Sequence, residues 1–317
     1  MYYVGIDLGG TNIAAGIVDE EGRIVKKQSV KTGRTRKPEE IVNDMCRLVL
    51  DLMKDAGLTE KDIYSIGIGS PGSHDRENGI ILYNNNLGFR NVNIKEAFQK
   101  LINVPVYLEN DANCAAIAES VAGAAKEYNY SVTITIGTGI GSGVVINNKL
   151  YTGSNGQAGE LGHIVINVDG EQCTCGRKGC WEAYSSAPAL ISQTRKAAEE
   201  NPDSRIHELC GGNLDNIDAK TAFDAARMGD RTGIEVVDNY IRIFAEGLAN
   251  VVNIFQPDII VIGGGVSREG DNLLVPLREK MRGKTYGNEG LPAMPIVAAL
   301  MGNDAGIVGA AFIPKLL

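Results

Sequence analysis

Two distant stretches of the chain repeat one local plan, and this repeat limits the folds that are open to it. Residues 2–27 read YYVGIDLGGTNIAAGIVDEEGRIVKK, and residues 132–151 read VTITIGTGIGSGVVINNKLY. Each stretch has a strand rich in β-branched residues, a glycine turn, a second strand and a further turn before a third strand. Because the plan occurs only twice, it indicates an internal duplication and not a solenoid repeat.

The segments around these hairpins predict alternating helices and strands. Periodicity and turn residues predict helices at 38–56, 94–101, 111–125, 186–200, 218–228, 231–255, 270–282 and 304–312, and strands at 63–68, 104–108 and 258–262. In the helix at 231–255 we expect a core-facing stripe of Ile234, Val237, Ile241, Phe244, Leu248, Val251 and Phe255. The order of elements predicts an α/β fold with an antiparallel hairpin opening each half.

Glycine and threonine fill the first turn of both hairpins, as Gly9-Gly10-Thr11 and as Gly137-Thr138-Gly139. Without β-carbons, the backbone N–H groups of such turns can lie close to an anion and bind it. Asp7, at the end of the first strand, is well placed to serve a Mg²⁺ directly or through water. We interpret the two turns as holding one polyphosphate; for the first turn alone, a tight hairpin with a solvated aspartate is the alternative.

Three further glycine motifs carry different weight. The string GGGVS at 263–267 follows a buried strand and precedes a helix, which favours a nucleotide at the carboxyl end of a sheet. The string GIGSPG at 67–72 fits G-x-G-x-x-G, but Pro71 cannot open the helix that a Rossmann site requires. The string RGKT at 282–285 lacks the first P-loop glycine, because Arg278 stands there. We therefore expect neither a Rossmann site nor a P-loop.

A strand at 104–108 runs into a helix through Asn110 and Asp111. Aspartate at a helix start is a common N-cap, so a purely structural role is one interpretation. The other makes Asp111 a general base that accepts the proton of a substrate hydroxyl, with Asn110 binding a neighbouring hydroxyl. The local sequence leaves both open.

Residues 160–182 read ELGHIVINVDGEQCTCGRKGCWE and contain a potential metal site. Cys173, Cys175, Cys180 and His163 supply three thiolates and an imidazole, a complete tetrahedral set for structural zinc. Such a closed site predicts a positional role, in which the loop holds Glu160 and Glu182 against polyol hydroxyls. The remaining cysteines, Cys46, Cys114 and Cys210, are expected to be buried apolar residues, and His74 and His207 to lie at the surface.

Composition narrows the functional classes. The 317 residues are 44% hydrophobic and 22% charged, and no apolar run approaches the length of a membrane span. The net charge of −8, without a block of basic residues, argues against a nucleic-acid surface. The chain shows no secretion signal, so a cytoplasmic location is expected.

Taken together, the motifs GIDLGGTN, GSPG, ENDAN, TIGTGIGSGVV, ELGH, CTCGRKGCWE, GGGV and AGIVGAA resemble those of the ROK family of bacterial sugar kinases, and of its glucokinases most. The resemblance covers essentially the whole chain. It implies the duplicated, bilobal actin-like ATPase fold, related to ribonuclease H, with sugar and ATP bound in a central cleft between the lobes. We expect a small lobe of residues 1–110 plus 301–317, and a large lobe of 111–300 with its zinc loop at 163–180.

The resemblance also implies roles for residues at matching positions. Asp111 becomes the catalytic base. The implied sugar contacts are Gly72, Asn86, Asn110, Asp111, Glu160, His163 and Glu182, with His163 also ligating zinc beside Cys173, Cys175 and Cys180. The implied nucleotide contacts are Asp7, Gly9, Gly10, Thr11, Asn12, Gly137, Thr138 and Gly139 around the phosphates and magnesium, and Gly264 and Gly265 at the adenosine.

The activity implied is transfer of the γ-phosphoryl group of ATP, as its Mg²⁺ complex, to the 6-hydroxyl of a hexose. Glucose comes first, and N-acetylmannosamine, N-acetylglucosamine, fructose, allose and mannose are alternatives. The family also contains sugar-responsive repressors with an N-terminal helix-turn-helix domain, whereas this chain begins at the first predicted strand and is acidic. An actin-like filament or chaperone ATPase would share the hairpins without the ELGH and cysteine motifs. A homodimer is expected from the family alone.

Glycine is abundant, with 39 residues where average usage predicts roughly 22. About half of them lie at the strand ends (5, 9, 10, 16, 67, 69, 72, 137, 139, 141, 143 and 263–265) or in the loops at 153–179. We expect these glycines to let the backbone approach phosphate, nucleotide or sugar, or to turn around the metal.

Overall fold

The computed structural model describes residues 1–287 and 293–317 and divides the chain into two compact units. Unit 1 comprises Met1–Thr133, Gly143–Gly159 and Ala299–Leu317, and unit 2 comprises Ile134–Ser142 and Glu160–Ala298. The predicted boundary at 110/111 differs from this division. The helix that begins at Asp111 packs within unit 1, because it lies against the C-terminal helix.

Most of the strands belong to two five-stranded sheets. In the described residues the strands are β1 (Tyr2–Leu8), β2 (Asn12–Val18), β3 (Ile24–Lys31), β4 (Ile63–Ser70), β5 (Ser73–Asp75), β6 (Ile80–Asn84), β7 (Phe89–Asn93), β8 (Val106–Asn110), β9 (Ser131–Ile136), β10 (Ile140–Ile146), β11 (Lys149–Leu150), β12 (Ile259–Gly264) and β13 (Ile296–Ala298). The sheet orders are β3-β2-β1-β4-β8 and β11-β10-β9-β12-β13. The matching orders confirm the predicted duplication.

Within the first sheet, β1, β2 and β3 are antiparallel, as predicted, while β4 and β8 run parallel to β1. In the second sheet, β10 and β11 form a hairpin and β12 pairs in parallel with β13. A third, antiparallel sheet of β5, β6 and β7 was not predicted from the sequence. Its strands are three to five residues long, too short for a clear alternation of apolar and polar residues.

The eight predicted helices are present to within a few residues. The helices of the described residues are α1 (Pro38–Asp55), α2 (Ile94–Gln99), α3 (Asp111–Ala122), α4 (Glu182–Ser185), α5 (Ala187–Glu200), α6 (Ile206–Leu209), α7 (Thr221–Arg227), α8 (Arg231–Phe255), α9 (Asp271–Met281), α10 (Ala305–Ala311) and α11 (Ile313–Leu316). Three helices of four residues each, α4, α6 and α11, were not predicted. No helix of the described ranges is long and apolar enough to cross a membrane.

The apolar stripe of α8 was predicted only in part. Ile241, Phe244, Leu248 and Val251 are buried, but Ile234 is 49% exposed. Val236 and Tyr240 are buried in addition, so the buried face is rotated at the start of the helix. The prediction for His74 was wrong, since this residue is 5% exposed in β5 and burial lowers its pKa to about 4. Cys46, Cys114 and Cys210 are buried, as predicted.

Glycines allow α10 to lie directly on the first sheet. A β-carbon at Gly5 on β1 would overlap the carbonyl oxygen of Ile307, and one at Gly67 on β4 would overlap that of Ala310. On its other side, a β-carbon at Gly309 would overlap the carbonyl oxygen of Cys114 on α3. Several glycines that we expected near a ligand therefore serve instead to bring helix and strand backbones together.

Candidate active site and metal centre

The first glycine turn of unit 1, Gly9-Gly10-Thr11, joins β1 to β2. It is closed by a hydrogen bond from the Gly9 N–H to the Asn12 carbonyl oxygen (3.1 Å). Buried Thr32 holds the turn from behind, since its hydroxyl donates to the Gly9 carbonyl (2.7 Å) and its N–H donates to that of Thr11 (3.0 Å). The exposed side chains of Thr11 and Asn12 leave this turn open to a ligand.

An arginine that we did not predict lies on the same turn. Arg34 Nε donates to the carbonyl oxygen of Gly10 (2.7 Å), and Nη2 lies 3.4 Å from the Thr11 hydroxyl. No carboxylate of the described residues forms an ion pair with Arg34. The turn therefore carries a fixed positive charge that a phosphate could use.

The pKa values of Asp7 and Asp111, both in unit 1, are raised. Loss of hydration, and then the negative charge of Asp111, raise the pKa of Asp7 from 3.8 to about 6. The Asp111 side chain reaches solvent, yet the protein around it removes enough hydration to raise its pKa as well. Carboxylates of this kind can bind a cation or accept a proton.

The hydrogen bonds at the start of α3 show whether Asp111 is the N-cap of this helix. The N-cap is Asn110, whose Oδ1 accepts hydrogen bonds from the N–H groups of Ala112 (2.8 Å) and Asn113 (3.3 Å). Asp111 Oδ1 accepts one hydrogen bond, from Ala112 at 3.0 Å. Capping is thus done by the neighbouring residue, and Asp111 keeps its second carboxylate oxygen for other chemistry.

A buried ion pair supports this helix start. The guanidinium of Arg76 donates through Nε and Nη2 to both oxygens of Glu109, at 2.6 and 2.5 Å, and Glu109 has no exposed surface. Glu109 Oε1 also accepts from the Asn110 N–H (2.7 Å) and from the Asn113 side chain (2.9 Å). The other face of Arg76 lies against Gly156 in the loop before Glu160. The sequence offered no signal for this pair, because 33 residues separate its members.

The predicted sugar contacts Gly72 and Asn86 also lie in unit 1. Gly72 has a φ of +104°, and a β-carbon there would overlap the carbonyl oxygen of Tyr83, so this position requires glycine. In the run of three asparagines, buried Asn84 has a structural role: its Oδ1 accepts from the Leu87 N–H (3.1 Å). Asn85 and Asn86 are both exposed, so either side chain is available to a ligand.

The second glycine turn, Gly137-Thr138-Gly139, lies in unit 2 between β9 and β10. The Gly137 N–H donates to the Gly139 carbonyl oxygen (2.9 Å), and the Ala187 N–H donates to that of Gly137 (2.9 Å). The carboxylate of Glu182 accepts a hydrogen bond from the Ile140 N–H (2.9 Å), directly after the turn. Thr138 is exposed.

The predicted adenosine contacts follow β12, also in unit 2. Gly264 has a φ of +86°, and its α-carbon lies so close to Ile136 of β9 that a β-carbon would overlap the Ile136 carbonyl oxygen. The Ser267 hydroxyl donates to the Gly264 carbonyl oxygen (2.8 Å). Gly264 and Gly265 are both exposed, so their backbone is open to a ligand.

We use the name cysteine loop for residues 163–180. Here the ligand atoms of His163, Cys173, Cys175 and Cys180 all lie within 4.8 Å of one another. Cys173 Sγ is 3.7 Å from His163 Nδ1, and Cys175 Sγ is 3.6 Å from Cys180 Sγ. Three thiols and an imidazole at these separations fit a tetrahedral zinc ion. In the absence of a cation, burial and the neighbouring thiols raise the pKa of Cys180 to about 12, whereas a bound zinc would stabilise the thiolates.

A cavity of about 560 Å³ opens beside the second glycine turn. Thr138 of the turn, Cys173 and Thr174 of the cysteine loop, and Glu182 line one side of it. The exposed amine of Lys196 on α5 lines another side and forms no ion pair with any described residue. The cavity is large enough for a ligand of nucleotide size.

The predicted site residues are divided between the units. Unit 1 holds the first glycine turn with Asp7, the catalytic candidate Asp111, and the sugar candidates Gly72, Asn86 and Asn110. Unit 2 holds the second and third glycine turns, the cysteine loop, and the sugar candidates Glu160, His163 and Glu182. Of these, Glu182 is already bonded to Ile140, and His163 Nδ1 faces the thiol of Cys173.

The two matching five-stranded sheets define a two-lobed α/β fold of the actin-like ATPase class. The chain belongs to the ROK family, whose profile matches residues 3–315. A glucokinase from Thermotoga maritima is 39% identical over 313 residues, which cover 98% of this chain and 96% of that enzyme. A crystal structure of a ROK family glucokinase from Streptomyces griseus, in complex with glucose and AMPPNP, is 38% identical, with a TM-score of 0.81 and 98% of both chains covered.

Relatives of a second kind share the same fold. A xylose repressor from Caldicellulosiruptor bescii is 32% identical over 285 residues, which cover 89% of this chain and 70% of the repressor. Family membership therefore covers both phosphoryl transfer and gene regulation, and the choice between them depends on the site.

We predict about one zinc ion per chain in the purified protein, measured by inductively coupled plasma mass spectrometry. Cys175→Ser should lower the zinc content strongly, because it removes one of four ligands at an exposed position without disturbing the core. Cys210→Ser, at a buried cysteine outside the cluster, is the matched control and should retain the metal. A zinc-free wild-type protein with an intact fold would contradict the assignment.

Proposed function

We propose that this protein is an ATP-dependent hexose kinase that transfers the γ-phosphoryl group of ATP to the 6-hydroxyl of glucose, with Asp111 as general base. The observation that carries the proposal is the state of Asp111. It stands at a helix start that Asn110 caps, with a free carboxylate oxygen and a raised pKa. A carboxylate in this condition can accept a proton from a bound hydroxyl. The likeness to glucokinases over nearly the whole chain supports the same activity.

In this mechanism Asp111 takes the proton of the sugar hydroxyl as its oxygen attacks the terminal phosphorus of ATP. The phosphoryl group then leaves ADP and the bond to the sugar oxygen forms. The N–H groups and hydroxyls of the two glycine turns, with Arg34, stabilise the charge on the phosphoryl oxygens. Asp7 would hold the Mg²⁺ that accompanies ATP, which supplies charge neutralisation at the phosphates.

The sugar would be held by groups that can donate to or accept from its hydroxyls: Asn86, Asn110, Glu160, His163 and Glu182, with the backbone of Gly72. In this scheme the Arg76–Glu109 pair is a positioning device, since it fixes the N–H of Asn110 next to the base. The zinc ion would be structural, because the four ligands leave no open position for a substrate. We propose glucose, and not another hexose, because the similar proteins include glucokinases.

A coupled ADP-release assay with ATP and Mg²⁺ across about ten sugars tests the function. We expect glucose to give the highest kcat/KM, with N-acetylmannosamine, N-acetylglucosamine, fructose, allose and mannose slower. If another sugar gave the highest kcat/KM, the proposed substrate would be wrong and the proposed kinase activity would stand. Sugar binding without any phosphorylation would instead support a regulator, and ATP turnover independent of sugar would favour an actin-like ATPase.

Asp111→Asn should lower kcat roughly 10²- to 10⁴-fold, because the amide cannot accept the proton. Its fold should be unchanged, since the capping bonds come from Asn110. Asp51→Asn, an exposed residue of α1 that forms no ion pair with any described residue, controls for loss of a charge and should retain full activity. Near-normal turnover by Asp111→Asn would remove Asp111 from the mechanism.

The acid limb of kcat/KM against pH should lie above pH 3.8, the ordinary aspartate value, with the ionisation of Asp7 near pH 6. The pKa values of Asp7 and Asp111 are both raised, so these carboxyls retain protons at a pH where an ordinary aspartate is ionised. A general base works only when ionised, and activity is therefore lost as pH falls through the raised values. Circular dichroism over the same range separates this effect from unfolding. A limb near pH 4 would contradict the electrostatic account.

A further inference from the structure

We infer that the cysteine loop holds the second glycine turn in its binding shape through Glu182, so that zinc and nucleotide strengthen each other's binding. The inference rests on the proposed function, which assigns zinc to the loop and phosphate to the turn. It adds a coupling between these two sites, and it gives Glu182 a role in nucleotide binding besides its proposed contact with the sugar.

Glu182 contacts both partners at once. Its Oε2 accepts the Ile140 N–H at 2.9 Å, on the turn side. Its Oε1 lies 3.4 Å from the Thr174 hydroxyl and 3.7 Å from the thiol of Cys173, on the loop side. Hydrogen bonds to an ionised carboxylate are stronger than those between neutral groups. With zinc bound, Cys173 is a thiolate and cannot donate, so the carboxylate ties the backbone just after the turn to the hydroxyl of Thr174, which lies between the ligands Cys173 and Cys175.

The fit between Glu182 and the turn is close. A β-carbon at Gly139 would overlap Glu182 Oε2, so the carboxylate occupies the space that any other residue would need. Five residues beyond Glu182, the N–H of Ala187 donates to the Gly137 carbonyl oxygen (2.9 Å). The segment that directly follows Cys180 thus binds the turn at both ends.

The loop itself has little packing to keep its shape. Thr174, Cys175 and Gly176 are all exposed, and the loop is closed by short-range bonds such as that from the Cys173 N–H to the Arg177 carbonyl oxygen (2.8 Å). A metal that joins four ligands replaces the missing packing. Loss of zinc would remove this restraint from the exposed segment at Thr174 and so weaken its bond to Glu182.

The 560 Å³ cavity lies beside these contacts. Thr138 of the turn and Cys173, Thr174 and Glu182 of the loop side all line it. A nucleotide whose phosphates lie on the turn would contact Thr138, which lines the cavity together with Cys173 and Thr174. Since coupling free energies are reciprocal, each ligand should then raise the affinity of the other by one common factor.

The test measures two affinities of the full-length protein. Isothermal titration calorimetry gives the Kd for ADP with Mg²⁺ in the zinc-loaded and zinc-stripped protein, without sugar. Competition with a chelator of known affinity gives the zinc Kd with and without saturating ADP. We expect both ratios to agree and to lie between about 5- and 150-fold. Trp181, the single tryptophan, is buried between Cys180 and Glu182, so its fluorescence reports whether the stripped protein keeps its fold.

Two glycine variants give a matched comparison. Gly139→Ala should displace the Glu182 carboxylate and weaken zinc binding, although residue 139 contacts no zinc ligand directly. Gly137→Ala is the control, because a β-carbon there meets nothing within 4 Å, and its zinc affinity should equal that of the wild type. Glu182→Ala should abolish the effect of ADP on zinc affinity.

The outcomes separate the two proposals. A zinc Kd that is unchanged by bound ADP, or equal zinc affinities in the two glycine variants, would overturn the coupling and leave the kinase assignment intact. Failure of the zinc-loaded wild type to bind ADP would overturn the proposed function and the coupling with it. Matching ratios that disappear in Glu182→Ala would establish Glu182 as the link.

Discussion

The close approach of α10 to the first sheet and to α3 is the contact on which the unit 1 site depends. Helix α10 lies on β1 and β4 at two glycines, and α3 lies on α10 at a third, with backbone atoms in direct contact. Asp7 lies near the end of β1, and Asp111 is the first residue of α3. The packing of α10 between them therefore sets the distance between the two carboxylates. The effect of Asp111 on the pKa of Asp7 therefore depends on glycines at which helix and strand backbones meet.

Different devices can stabilise the candidate site residues of each unit, a buried ion pair in unit 1 and metal ligation in unit 2. In unit 1, the guanidinium of Arg76 compensates the buried carboxylate of Glu109, and that carboxylate orients the backbone of Asn110. An unpaired Glu109 would be costly at this depth, so the pair is held in one geometry. In unit 2, an exposed loop without a core of its own can be ordered by its metal ligands. Both devices fix backbone groups and leave the reactive side chains accessible.

The amino-acid sequence predicted features that depend on neighbours along the chain. The duplicated hairpins, the long helix α8 and the four ligands of the cysteine loop all follow from local patterns. The prediction failed where a pattern was too short, as in β5, β6 and β7, or where a polar residue is buried by partners from elsewhere, as for His74. The prediction that the abundant glycines at strand ends lie near a ligand was partly wrong, because Gly5 and Gly67 allow a helix to pack against the sheet.

By itself, the sequence determined the α/β class, the glycine turns and the set of candidate groups, because turn conformation and ligand chemistry are properties of single residues and short strings. Only the tertiary structure decided which groups act on one another. Arg34 reaches Gly10 across 24 residues, Arg76 reaches Glu109 across 33, and Glu182 reaches Ile140 across 42. Such contacts depend on chain topology, and one hydrogen bond of this kind leaves no periodic trace in the sequence.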